Sequence, residues 1–228
     1  MFNQTQPAAM PTVFQQAKAR ASEMINLGQR ELAIPLLRDL LKQQPRDPQL
    51  LHMLGVSLHG NDSMAAKSKE PENLRLLRFA ANLAPNNAEI LVDYASACQS
   101  LGMLREAHKM ADKARSVNPA HARAVQFKAR LLQGVNKVPE ALELLEAQMR
   151  DHPDPLLVVS YGDMCLHQGL CEQAVDALKP LFDDVTCPKP RRIEAAFLLG
   201  HLHDKLKEYD TAFEYFRIGN TMQGPEPA

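Results

Sequence analysis

Ala88–Pro119 reads AEILVDYASACQSLGMLREAHKMADKARSVNP. Small residues (Ala95, Ala107, Ala114) stand where two helices have to touch, Leu91, Tyr94 and Cys98 fill the gaps around them, and Pro119 closes the stretch. Apolar residues recur at helical spacing in two runs, so the stretch predicts a helical hairpin. Variants of it return along nearly the whole chain. Aligning prolines and small residues gives six units, beginning at Phe14, Pro48, Ala88, Ala122, Pro155 and Ile193, with steps of 34, 40, 34, 33 and 38 residues. Three of the five steps lie within one residue of 34, a regularity that unrelated helices do not produce.

The physics of such a unit is simple. Gly or Ala on the first helix is expected to face Ala on the second, so the axes approach closely and larger side chains interdigitate above and below. One hairpin cannot bury its apolar stripe alone, whereas stacked hairpins bury it against each other. The closing proline ends the second helix by removing an amide donor and restricting the residue before it.

Composition permits this and narrows the rest. Hydrophobic residues make up 45% of 228, with no tryptophan and 5% aromatics, enough for a substantial core. A formal charge of -1 supplies no global pull on nucleic acid or acidic membranes, so neither is an expected partner. No uncharged apolar run approaches the ~18 residues of a membrane span. The first twelve residues carry neither a basic cluster nor an apolar run of signal-peptide length. Four cysteines in a chain this long make no disulfide framework, and a cytoplasmic protein is expected.

These repeats resemble the tetratricopeptide repeat (TPR) family, a 34-residue helix-turn-helix marked by Leu-Gly, Ala, a large residue and a closing Pro. The Leu-Gly pair appears as Leu54-Gly55 and Leu199-Gly200, and as Tyr161-Gly162 in the fifth unit. The small residue opening the second helix is Ala33, Ala107, Ala141, Ala174 or Ala212. Four positions on stand Leu37, Leu145, Leu178 and Phe216, with Ala111 in the third unit. Pro45, Pro85, Pro119 and Pro153 close units. The resemblance implies an all-α, right-handed superhelical solenoid of about six helix-turn-helix repeats. Residues 1–12 and 221–228 read as flexible tails around an array at 13–220.

Departures from the pattern carry their own expectations. Unit two holds about six extra residues within His59–Glu70, read as a solvent loop or extended helix end. Pro71 and Pro139 fall at first helical turns, where a missing amide costs little. Pro35 lies deeper and is expected to delay its helix; Pro180 is expected to kink or end its helix ahead of an irregular linker, Asp183–Pro190. Asn3-Gln4-Thr5 and Asn61-Asp62-Ser63 are glycosylation sequons by pattern only.

Catalytic machinery is not evident. Neither G-x-x-x-x-G-K, G-x-G-x-x-G, G-x-S-x-G nor H-E-x-x-H occurs, so no enzyme activity and no cofactor are expected. Cys98 and Cys165 share one register and read as core thiols, while Cys171 and Cys187 read as exposed in a turn and a linker. His201 and His203, two apart, point to different helix faces, and His52 and His59 are too far apart to chelate without a third group. No metal site is expected.

In the right-handed stack that the resemblance implies, the first helix of each unit lines a concave face. Its predicted partner-binding residues are Lys18, His52, Met53, Val92, Asp93, Gln126, Phe127, Arg130, Val159, Asp163, Phe197 and His201, with Leu198 beside them. The lining mixes apolar groups with charges of both signs and predicts a non-catalytic adaptor that takes a peptide or helix of a partner protein. On that reading, replacing Phe127 and Arg130 together lowers partner affinity and leaves melting nearly intact. An alternative is that Phe127 and Phe197 fill gaps between units. Repeats of this family that grip chaperone-tail carboxylates use Lys and Asn; here Ser22 and Met53 replace the Asn residues, and Glu89 and Asp93 repel an anion. A second functional reading rests on the last unit, LLGHLHDKLKEYDTAFEYFRIGN, which resembles the repeat preceding the catalytic domain in bacterial repeat-sulfotransferase fusions and implies a regulatory or truncated portion of such an enzyme. A third is self-association through Phe213, Phe216 and Ile218 at an uncapped end.

Overall fold

The computed structural model describes residues 12–59 and 70–224, and within them the backbone forms twelve α-helices and no strand. They pair as six hairpins: α1 (Val13–Asn26) with α2 (Arg30–Gln43), α3 (Pro48–Ser57) with α4 (Glu72–Leu83), α5 (Ala88–Ser100) with α6 (Leu104–Val117), α7 (Ala122–Gly134) with α8 (Val138–Asp151), α9 (Pro155–Gln168) with α10 (Cys171–Asp183), and α11 (Lys189–Lys205) with α12 (Tyr209–Gln223). Most of the insertion and most of the predicted tails lie outside the described residues. The chain divides into two compact units, Met1–Met110 and Ala111–Ala228, with the boundary inside α6. In the first, α1 to α5 pack each on the next and α1 also touches α3; in the second, α7 to α12 do the same, with α9 lying against both α7 and α11.

Repeated local chemistry explains the repeated shape. Every described turn inside a hairpin holds one residue in the left-handed region: Gly28 (φ 76°), Gly102 (72°), Asn136 (61°), Gly169 (75°) and Lys207 (65°). The next amide then donates to the carbonyl five residues back, Gln29 to Met24, Met103 to Cys98, Lys137 to Leu132, Leu170 to Cys165 and Glu208 to His203, at 2.8–2.9 Å. These bonds use carbonyls that a helix end leaves unpaired. Five of the six first helices start on side-chain caps: Thr12 in a capping box with Gln15, then Asp47, Asn87, His121 and Asp154, whereas α11 follows Pro188 without one. The second helices α2, α4, α8, α10 and α12 start without one.

Close packing follows a different pairing from the expected one. The first-helix glycines face the large residue of the second helix, not its alanine. A Cβ on Gly55 would stand 2.8 Å from Leu77 Cγ, one on Gly162 2.5 Å from Leu178 Cδ1, and one on Gly200 2.6 Å from Phe216 Cε1. The alanine register (Ala33, Ala107, Ala141, Ala174, Ala212) is buried beside these contacts. In the second hairpin that register holds Asn73, buried but satisfied: its Oδ1 accepts from the Leu74 amide at 2.7 Å, and its Nδ2 lies 3.4 Å from His59 Nδ1.

Several expectations are corrected. α2 begins at Arg30, so Pro35 sits inside it without delaying it; Glu31 and Pro35 are both exposed, and the carbonyl left without a donor meets water. Pro180 also lies inside α10, which continues to Asp183. The irregular linker is shorter than predicted, because α11 starts at Lys189 with Pro190 in its first turn, a position that suits proline. α12 extends to Gln223, so Thr221 to Gln223 are helix where a tail was expected. Cys171 and Cys187 are 9% and 8% exposed, not surface thiols: both belong to the apolar cluster built on Leu145, Leu178 and Leu199.

Candidate functional site

In the unit spanning residues 12–110 the predicted charges are spent on neighbouring hairpins. Lys18 Nζ lies 2.6 Å from Asp47 Oδ2, and Asp47, capping α3, also accepts from the Gln49 and Leu50 amides at 2.8 and 3.1 Å. Burial acts to raise the Asp47 carboxyl, but the Lys18 ammonium and the two amides prevail and hold it below the ordinary carboxylate range. His52 Nε2 lies 2.6 Å from Asp93 Oδ2, joining α3 to α5. Met53 packs half-buried against the cluster of Ala21, Leu37 and Leu54, and Val92 is 2% exposed. These five residues therefore serve mainly as joints.

The unit from Ala111 onward is different. Three first helices, α7, α9 and α11, form the walls of a trough of about 820 Å³. Gln126 and Arg130 line it from α7, Val159 and Asp163 from α9, and Phe197, Leu198 and His201 from α11. Helical spacing of three and four residues puts each set on one face. Gln126 donates to Ser160 Oγ at 2.8 Å, which fixes one edge of α7 to α9. Phe197 and His201 lean on Phe216 of α12, with ring centroids 6.4 and 5.0 Å away. Lys205 Nζ bonds the Leu166 carbonyl at 2.6 Å, placing a cation at the negative end of α9.

Phe127 takes no part in the trough. It is 3% exposed, and the Arg130 guanidinium sits 5.6 Å from its ring centroid. Arg123, one face-turn earlier on α7, has its pKa lowered by burial and by the nearby Arg130. At the far end, Phe216 is half-buried against Gly200, Phe197 and His201, and Ile218 is half-buried as well. Only Phe213 of that predicted set is open, at 69%.

Ser160, His167, Asp204, Lys205 and Gln133 also line the trough, and the sequence reading missed them. Each lies one to four residues from a residue that it did select, so a wider helical arc would have found them. Cys98 and Cys165 are 0% exposed, and burial raises both thiols. Among the described residues no three His, Cys, Asp or Glu groups come together to hold a metal ion, and no helix is long and apolar enough to cross a membrane.

Stacked helical hairpins with a trough walled by their first helices define the class of α-helical repeat proteins. Residues 193–217 match the family model described as Tetratricopeptide repeat, and the paired-helix architecture of the described residues agrees with a stack of such repeats. That match falls on the unit carrying the sulfotransferase-fusion resemblance and reads it simply as a repeat. Among solved structures, PilW, described as a widely conserved type IV pilus biogenesis factor, superposes with a TM-score of 0.71 at 17% identity over 95% of this chain and 96% of its own. PilF of Pseudomonas aeruginosa superposes with a TM-score of 0.67 at 16% identity over 93% of each chain. A thermophilic TPR protein of Thermus thermophilus gives 0.67 at 17% identity over 82% of this chain and 99% of its own. At such identities the likeness is one of fold. A protein of Aquifex aeolicus (strain VF5) is 27% identical over 135 residues, 59% of this chain and 16% of that protein's length.

Proposed function

We propose that this protein is a non-catalytic interaction module and that the trough between α7, α9 and α11 receives a segment of a partner protein. The observation that supports this is the trough's build: an apolar floor of Val159, Phe197 and Leu198 under exposed charges of both signs, Arg130 and Asp163 among them. Apolar pockets with a few placed polar groups are the usual form of a binding site. In the other unit the equivalent charges are paired between hairpins, so the trough of the later unit is the better candidate.

The test is capture from native lysate with wild type and an Arg130→Glu/Asp163→Lys variant. Both side chains are exposed, so the variant should fold with stability within ~0.5 kcal/mol of wild type. Phe127 is unsuitable for this purpose, because truncating so buried a phenylalanine costs about 3–5 kcal/mol. Partners retained equally by wild type and variant would refute the trough as the site.

A further inference from the structure

We infer that the trough is electrically polarised and takes an extended partner segment with an acidic side chain over Arg130 and a basic side chain over Asp204, about five or six residues apart. This deepens the reading proposed above and rests on it.

The charges lining the trough are not equivalent. On the α9 wall Asp163 has His167 3.6 Å away. On the α11 wall Glu194 is bonded to Arg191 at 2.6 Å, and Lys205 is bonded to the Leu166 carbonyl at 2.6 Å. Two charged side chains of the lining make no hydrogen bond or ion pair among the described residues: Arg130 on α7 and Asp204 on α11. Arg130 is the sole charged residue that α7 contributes to the lining, and its closest companion is the Phe127 ring. Arg123 on the same helix repels it, which adds to its demand for an anion. One wall is thus basic and the opposite wall carries an open carboxylate, with Val159, Phe197 and Leu198 between them.

The spacing follows from helix packing. α9 lies against both α7 and α11, and packed helices stand about 8–10 Å apart, so the two outer walls are roughly 16–20 Å apart. An extended chain advances ~3.3 Å per residue and crosses in about five or six residues. A helix advancing 1.5 Å per residue would need about eleven or more, so an extended segment makes both contacts with the shorter stretch. Complementary charges at the two ends, with apolar side chains over the floor, match this lining; a uniformly charged segment meets one like-charged wall.

The test uses a random dodecapeptide phage library selected on the whole purified protein, followed by fluorescence titration of the best synthetic peptide. Enriched peptides should carry Asp or Glu and Lys or Arg about five or six positions apart, with apolar residues between. Arg130→Glu and Asp204→Lys, both at exposed positions, should each weaken that peptide about tenfold. Reversing the peptide's acidic residue should restore binding to Arg130→Glu, and reversing its basic residue should restore binding to Asp204→Lys. Peptides that need the trough, shown by loss of binding to Val159→Lys, but that lack this charge spacing or are not restored by reversal, overturn the polarity and leave trough binding standing. Absence of enrichment, or equal binding to Val159→Lys, overturns both readings.

Discussion

Replacing Gly162 by alanine tests the packing that sets the hairpin geometry. The glycine lies in the middle of α9, and a Cβ there would stand 2.5 Å from Leu178 Cδ1, 2.8 Å from Cγ and 3.0 Å from Cδ2. Carbon atoms in contact prefer about 3.5–4.0 Å. Two effects oppose each other. Alanine is favoured over glycine in a helix interior by ~1 kcal/mol. Overpacking a core costs about 1–3 kcal/mol. Leu178 is 0% exposed, and its branch carbon is among the obstructing atoms, so rotating its two methyls about χ2 does not clear the space, and a change of χ1 would have to displace buried neighbours. The upper part of that range applies, and the net loss is about 1–2 kcal/mol. For a chain of this size, that lowers the melting temperature by about 2–8 °C. The control is Gly134→Ala at the last position of α7, where a Cβ meets nothing within 4 Å and helix preference acts alone. It should raise the melting temperature by a few degrees. Ala129 holds the Gly162 register in the fourth hairpin and is 1% exposed, so a hairpin built around alanine packs well. The experiment therefore asks whether this hairpin can respace. Far-UV circular dichroism melts of both variants decide the matter. If Gly162→Ala melts at or above wild type, the close approach does not govern α9 and α10.

Other parts of the structure make separate predictions. Lys207 holds φ 65° without being glycine, so Lys207→Gly should stabilise the last hairpin by up to ~1 kcal/mol in a urea titration, and a loss would contradict the turn argument. Asp47 is held below the ordinary carboxylate range when folded, so its contribution is complete above about pH 4 and fades as pH falls through the lowered value. Asp47→Asn should cost about 1–2 kcal/mol at pH 7 and progressively less in acid; a difference that stays constant down to pH 2 would show that the charge is not the cause. The four cysteines are buried, and burial raises the thiols of Cys98, Cys165 and Cys187. Ellman's reagent at pH 8 should find no fast-reacting thiol in the native protein and four after denaturation.

Much of the hairpin architecture was legible because it is local. The closing prolines and the alanine register act within a few residues, and they mark where helices stop and touch. Pro35 misled because a proline's cost depends on whether the freed carbonyl lies on the solvent side, and that is set by which face the helix buries. The candidate site was legible only as a set of helix faces. That Gln126, Arg130, Val159, Asp163, Phe197 and His201 share one trough, while Phe127 turns into the core and Lys18, His52 and Asp93 bind one another's hairpins, depends on contacts about 30 to 40 residues apart.

Sequence alone determined the number of hairpins, since prolines, small residues and 3.6-residue periodicity act through neighbouring residues. The tertiary structure decided which charges are already neutralised and which stay open. An ion pair such as Lys18 with Asp47 forms only when one hairpin is laid against the next, and no rule of spacing along the chain specifies that distance.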